Sequence, residues 1–165
     1  MAKGTGGVRN QPSGNSARSL LGLQNDPAYY DRTTERAYVF NSDGSLNLTI
    51  SQHVESGVRI APEVLETMSG KILIHNHPIP VLSSMPRSGL SQGDVYLTAR
   101  YNLSEIRATN VRGTHVLTRG KGGWGDMSKV EDAMNTSRNV NSIHDGSWVR
   151  DFARMVGAHY VFIPR

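Results

Sequence analysis

The run His75-Asn76-His77-Pro78 closes a hydrophobic segment, Ile72-Leu73-Ile74, and Ser91-Gln92-Gly93-Asp94 follows at short range. In an extended chain, side chains two positions apart leave on the same side. Both imidazoles can therefore reach one ion, while Asn76 points the other way, toward supporting structure. Pro78 has no amide hydrogen and ends the ladder. Asp94, at a helix start, can fold back as a third ligand, and water completes the tetrahedron of a catalytic zinc site. The chemistry such a site offers is attack of water on an amide carbonyl, because bound zinc brings the water pKa near neutrality and polarises the carbonyl. Glu35 lies just ahead of the first expected strand and is not needed as a ligand. It is the candidate general base and, later, acid, with Glu55 as the rival carboxylate. Ser91 is the candidate hydroxyl donor to the developing oxyanion.

Each residue also has an ordinary reading. A His-x-His pair is commonly two polar groups at a surface, Asp94 alone is a helix-start residue, and Ser91 alone is an N-cap. Glu35 sits among Asp31, Arg32 and Arg36, a plain charged surface. The combination favours the metal, one divalent ion per chain. Zinc is the expected ion, although a His₂Asp set accommodates several others.

The elements that must hold these residues can be read from patterning. Ala37-Tyr38-Val39-Phe40 reads as a strand, Asn41-Ser42-Asp43-Gly44 as a hairpin turn, and Leu46, Leu48 and Ile50 alternate with Asn47 and Thr49 as a half-buried strand. Gln52 to Arg59 reads as loop with some extended structure. Pro62 opens a helix whose apolar face is Val64, Leu65 and Met68, and Gly70 stops it. Lys71 to Ile74 is short and nearly all apolar, hence a central strand with the histidines at its carboxyl end. A Pro- and Ser-rich loop, Pro78 to Gly89, then leads to a helix capped by Ser91. Asp94 at its third position makes a capping box in which Asp replaces the usual Glu. Ser104 to Thr109 and Thr114 to Arg119 read as strands around a turn at Arg112-Gly113. Lys129 to Met134 and Ser147 to Val156 read as helices, the second with Trp148, Phe152 and Met155 on one face. His159 to Ile163 reads as a final strand.

Composition narrows the classes. The chain has 165 residues and no cysteine, so disulfides and thiolate ligands are excluded. It suits one domain over residues 18–165, preceded by a Gly-, Ser- and Asn-rich tail or linker over 1–17 that points to attachment to, or binding by, a larger protein. The short apolar cluster Leu20, Leu21 and Leu23 can pack on the body or on a partner. No apolar run is long enough for a membrane span and no signal peptide is apparent, so an intracellular, cytoplasmic protein is expected. There are 18 basic and 14 acidic residues, a formal net charge of +4. Arg100, Arg107, Arg112, Arg119 and Lys121 make a basic second half, with Arg107 and Arg119 facing one another across a sheet. This suits a nucleic acid or an acidic tail, but a solvated sheet face is the favoured reading. Trp124, in a glycine-rich loop, and Arg87, in the Pro-rich loop, are the candidate substrate-loop residues. Trp148, Tyr160 and Phe162 are assigned to the core. His53, His115, His144 and His159 lack ligand spacing with one another.

The segment Ile72 to Pro78 with Ser91-x-x-Asp94 resembles the JAB/MPN (JAMM) metalloprotease superfamily. The His-Asn-His-Pro form is especially similar to the bacterial and phage branches, including RadC-like proteins and domains attached to phage head or toxin polypeptides. The similarity covers roughly Glu35 to Arg119. It implies an α/β (α+β) fold, a mixed curled β-sheet flanked by helices in a cytidine deaminase-like layout. It implies His75, His77 and Asp94 as zinc ligands, Ser91 as the residue steadying the tetrahedral intermediate and Glu35 as the upstream acid. It also implies a peptide, isopeptide or other amide substrate. The loop from Pro78 to Ser91 is longer than in compact members and is expected to cover the site or shape substrate choice. The alternatives are a non-catalytic metal-binding module of a phage- or toxin-associated protein and a nucleic-acid-associated RadC-like protein.

Overall fold

A computed structural model describes residues 19–30, 35–50, 60–77, 89–140 and 147–165. The tail over 1–17, Asp31, Arg32, His53, Glu55, Arg87, His144 and nearly all of the loop that begins at Pro78 lie outside the described residues. The architecture is mixed α/β. Six strands, β1 (Ala37–Phe40), β2 (Leu46–Ile50), β3 (Ile72–Asn76), β4 (Glu105–Asn110), β5 (Gly113–Thr118) and β6 (His159–Pro164), form one sheet in the order β2-β1-β3-β4-β5-β6. Neighbours are antiparallel except β3 and β4, which run parallel. A parallel pair needs a crossover. Here it contains α4 (Gln92–Arg100), the helix that bears Asp94.

The helices before β3 are short: α1 (Leu20–Gln24), α2 (Pro27–Tyr30) and α3 (Pro62–Leu65). Past α3 the chain reverses through Gly70 at φ +74°, a left-handed conformation that glycine adopts without a Cβ penalty, and enters β3. Two longer helices, α5 (Met127–Val140) and α6 (Ser147–Val156), lie between β5 and the final strand β6.

The sheet has two unlike faces. On the front, Val39, Leu73, Ile106, Ala108 and Leu117 pack with Val95, Val130, Met134, Trp148, Val149 and Phe152 into the main core. On the back, Tyr38, Phe40 and Ile74 pack with Leu23 and Tyr29 into a smaller cluster. Leu23 thus settles on the body, whereas Leu21 is exposed. Ring edges add to the small cluster: Tyr29 meets Tyr38 at 5.3 Å between centroids in a T-shaped pair.

Several sequence expectations need correction. The alternation of Leu46, Leu48 and Ile50 is broken by a bulge at the Val39/Phe40 step. It pairs Leu46 with Phe40, turning it to the back, where it is 36% exposed. An extra residue in one strand shifts which face later side chains occupy. Thr49, expected to be wet, is buried opposite Tyr38. Met155 is 52% exposed and so does not share the buried face of Trp148 and Phe152. Phe162, assigned to the core, is 38% exposed because β6 is an edge strand. Arg107 does not face Arg119: it lies opposite Val116 and pairs with Glu105 and Gln24, while Arg119 bonds Asn102. Trp124 is not an exposed contact. It is buried and its indole N–H donates to the Leu103 carbonyl at 2.8 Å, pinning the glycine loop to the core.

Candidate metal centre

The site lies at the carboxyl end of β3. The β1/β3 register pairs Ala37 with His75 and Tyr38 with Ile74. Continued past the strand ends, the same register sets Arg36 against Asn76 and Glu35 against His77. Alternation then places Glu35, His75 and His77 on the front face, while Asn76 turns to the back. On the crossover side, α4 begins with the expected capping box. Ser91 Oγ accepts from the Asp94 N–H at 3.1 Å, and the Ser91 N–H donates to Asp94 Oδ2 at 2.7 Å. The cap holds the Asp94 carboxylate at the helix start, aimed back at β3.

Three ligand atoms converge. His75 Nε2 is 2.8 Å from His77 Nε2 and 3.3 Å from Asp94 Oδ2, and His77 Nε2 is 3.7 Å from Asp94 Oδ2. Tetrahedral zinc with bonds of about 2.0–2.2 Å places its ligand atoms about 3.3 Å apart, close to the middle of these three edges. Among the described residues, this is the one group of three His, Asp or Glu side chains whose ligand atoms come together within 4.8 Å. The donor set therefore fits a divalent cation. A cation on both Nε2 atoms requires their lone pairs and puts the ring protons on Nδ1. His75 Nδ1 is buried without a hydrogen-bond partner among the described residues. Such an atom costs about 1–3 kcal/mol, which a metal bond at Nε2 can offset.

The electrostatics favour a cation. Burial pushes the Asp94 carboxyl up, but the His75 and His77 imidazoles and the Ser91 N–H outweigh it and hold the group well below the usual carboxylate range. Burial pushes His75 down, yet the charge and hydrogen bond of Asp94, with the charge of Glu35, leave it raised. A pocket that draws a proton onto an imidazole beside two carboxylates also draws a metal ion, and the two compete for the same lone pairs.

Glu35 is 8% exposed, so it is not part of an ordinary charged surface, and Arg36 is also buried. Its Oε1 lies 3.8 Å from His77 Nε2, yet it stands outside the three-ligand group. Ser91 is exposed at the helix cap. Its oxygen is used as an acceptor, which leaves its own proton to give. The structure thus brings together His75, His77, Asp94, Ser91 and Glu35. It does not bring Trp124 to them.

Sequence reasoning gave Asn76 a supporting role and missed Tyr29. Asn76 is fully buried, and its Oδ1 accepts from the Arg36 N–H at 2.6 Å. Tyr29 Oη donates to the Arg36 carbonyl at 2.8 Å and lies 3.2 Å from the Ile74 carbonyl. Its only sequence signal is an aromatic pair after the Asn25-Asp26-Pro27 turn.

Of the remaining histidines, His115 is buried and its Nδ1 lies 2.7 Å from Tyr160 Oη, while His159 is exposed. At the opposite end of the sheet, Arg119, Lys121, Gly120, Gly122 and Gly123 line an open depression of about 560 Å³ that has no part in the metal site. No helix among the described residues is long and apolar enough to cross a membrane. No family model matches the chain, nor does any curated protein or solved structure.

Proposed function

We propose that the chain is a zinc-dependent hydrolase of the JAB/MPN (JAMM) type that cleaves a peptide or isopeptide bond. The observation that carries this reading is the convergence of His75 Nε2, His77 Nε2 and Asp94 Oδ2 beside a buried carboxylate that is not one of the three. Zinc held there supplies Lewis acidity and makes water a nucleophile near neutral pH. The remaining work falls to the chain. Glu35 takes the proton from the attacking water and returns it to the leaving amine. Ser91 Oγ, oriented by the Asp94 N–H, donates a hydrogen bond to the developing oxyanion and keeps its proton. The capping box holds Asp94 so that one carboxylate oxygen can accept the Ser91 N–H and still offer a lone pair to the cation.

A fourth protein ligand would favour a non-catalytic metal module, and among the described residues Glu35 is the candidate for one. Its place outside the three-ligand group favours the open site of an enzyme. The deciding experiment is Glu35→Gln assayed against a panel of peptide and isopeptide substrates, with zinc content measured alongside. The expected result is one zinc per chain with turnover lost. Turnover at the wild-type rate overturns the role of Glu35, and loss of zinc from this variant makes Glu35 a ligand and the site a closed one.

A further inference from the structure

Glu35 lies two residues ahead of the first residue of β1, so the ladder does not fix its backbone directly. What does fix it is the peptide of the next residue. The Arg36 carbonyl accepts from the Asn76 N–H at 3.3 Å, which extends the β1/β3 ladder by one rung. The return rung is replaced: the Arg36 N–H donates at 2.6 Å to the Asn76 side chain. Tyr29, from the back face, then ties the Arg36 carbonyl to the neighbourhood of the Ile74 carbonyl, one residue before His75. Both polar groups of the Arg36 peptide are thus held to the strand that carries the histidines.

Tyr29 is itself held firmly. It is buried in the back cluster against Tyr38. The adjacent Tyr30 lies under the Arg165 guanidinium, 3.4 Å from its ring centroid, and Arg165 also bonds the Gln24 carbonyl and Thr109 Oγ1. The clamp therefore belongs to a braced surface and not to a loose helix end.

We infer that Tyr29 and Asn76 are positioning residues that set the gap between the Glu35 carboxylate and His77. This deepens the hydrolase reading and rests on it for its purpose, because the gap governs where Glu35 meets the reacting water. Both act through the backbone of Arg36.

The test is a mutant cycle read without activity. In the metal-free chain, the His77 imidazole nitrogen and proton shifts are measured for wild type, Glu35→Gln, Tyr29→Phe, Asn76→Ala and the two doubles carrying Glu35→Gln. Tyr29→Phe and Asn76→Ala are expected to move the His77 signals in the direction that Glu35→Gln moves them, and to add little once Glu35 is gone. Tyr29→Phe keeps the buried ring, so a folding failure of Asn76→Ala leaves it to decide. Equal displacement in both backgrounds means a general loosening and overturns the inference, as does no displacement in either. Zinc titration of the wild type runs in parallel: one equivalent bound supports the hydrolase reading, and none overturns that reading while the imidazole cycle still decides the clamp.

Discussion

The front of β3 carries Leu73 and His75 and looks onto the main core and the candidate metal-binding group, whereas its back carries Ile72, Ile74 and Asn76 and looks onto the small cluster beneath Tyr29. The front brings groups that compete for a cation: two imidazoles and a carboxylate delivered by a helix cap. The back brings groups satisfied within the protein, an amide and a phenol spent on the Arg36 peptide. The period of the strand makes both arrangements from the same few residues. Chemistry placed on one face obtains its rigidity from the other, because a side chain that supports the backbone need not occupy the reactive space.

The division can be broken most drastically from the front. His75→Ala or His77→Ala removes one of the three candidate ligands found among the described residues, and bound zinc is expected to fall from one equivalent to none by elemental analysis, with the fold retained. Retention of stoichiometric zinc by either variant would place the cation elsewhere. The main core comes next. Phe152, fully buried on α6 beside Trp148, should cost about 3–5 kcal/mol in denaturant unfolding when cut to Ala. A loss under about 1 kcal/mol would show that the front cluster carries little of the stability.

On the back, Asn76→Ala strands the buried Arg36 N–H, a cost of about 1–3 kcal/mol. The two faces predict different signatures here. Zinc should remain at one equivalent for Asn76→Ala while stability falls, the opposite of the histidine variants. Joint loss of zinc and stability would erase the distinction between ligand and support.

The smallest effect concerns His115, whose pKa burial pushes down from 6.5 to about 4. The folded state binds fewer protons than the unfolded state between these values, so stability is fully present above about pH 6.5 and declines as pH falls toward 4. His115→Gln should flatten that part of the stability profile, read as urea midpoints at pH 7 and pH 5. An unchanged pH slope would assign the acid sensitivity to other groups.

Much of the site was legible because its signals are local. The His-x-His spacing sits in an apolar strand, and Ser91-x-x-Asp94 is a capping box whose geometry follows from helix termini alone. Strands β1, β3, β4 and β5 announced themselves by short apolar or β-branched runs. What was hidden depends on pairing between distant segments. The burial of Glu35 comes from a register between β1 and β3, and the bond from Tyr29 to the Ile74 carbonyl spans a separation in sequence that no periodicity encodes. Trp124 sits in a glycine-rich stretch that reads as a surface loop, yet its indole reaches a carbonyl in the core. Phe162 fits a core strand by composition and is half-exposed only because β6 ends the sheet. The bulge that turns Leu46 outward is a property of two strands together and not of either sequence.

Anomalous diffraction at the zinc edge from metal-loaded crystals decides whether the three side chains share one cation. A single peak bounded by His75 Nε2, His77 Nε2 and the Asp94 carboxylate is expected, with the fourth position taken by solvent and Glu35 alongside. Absence of a peak among these three groups, or a peak with Glu35 as a fourth ligand, would contradict this arrangement.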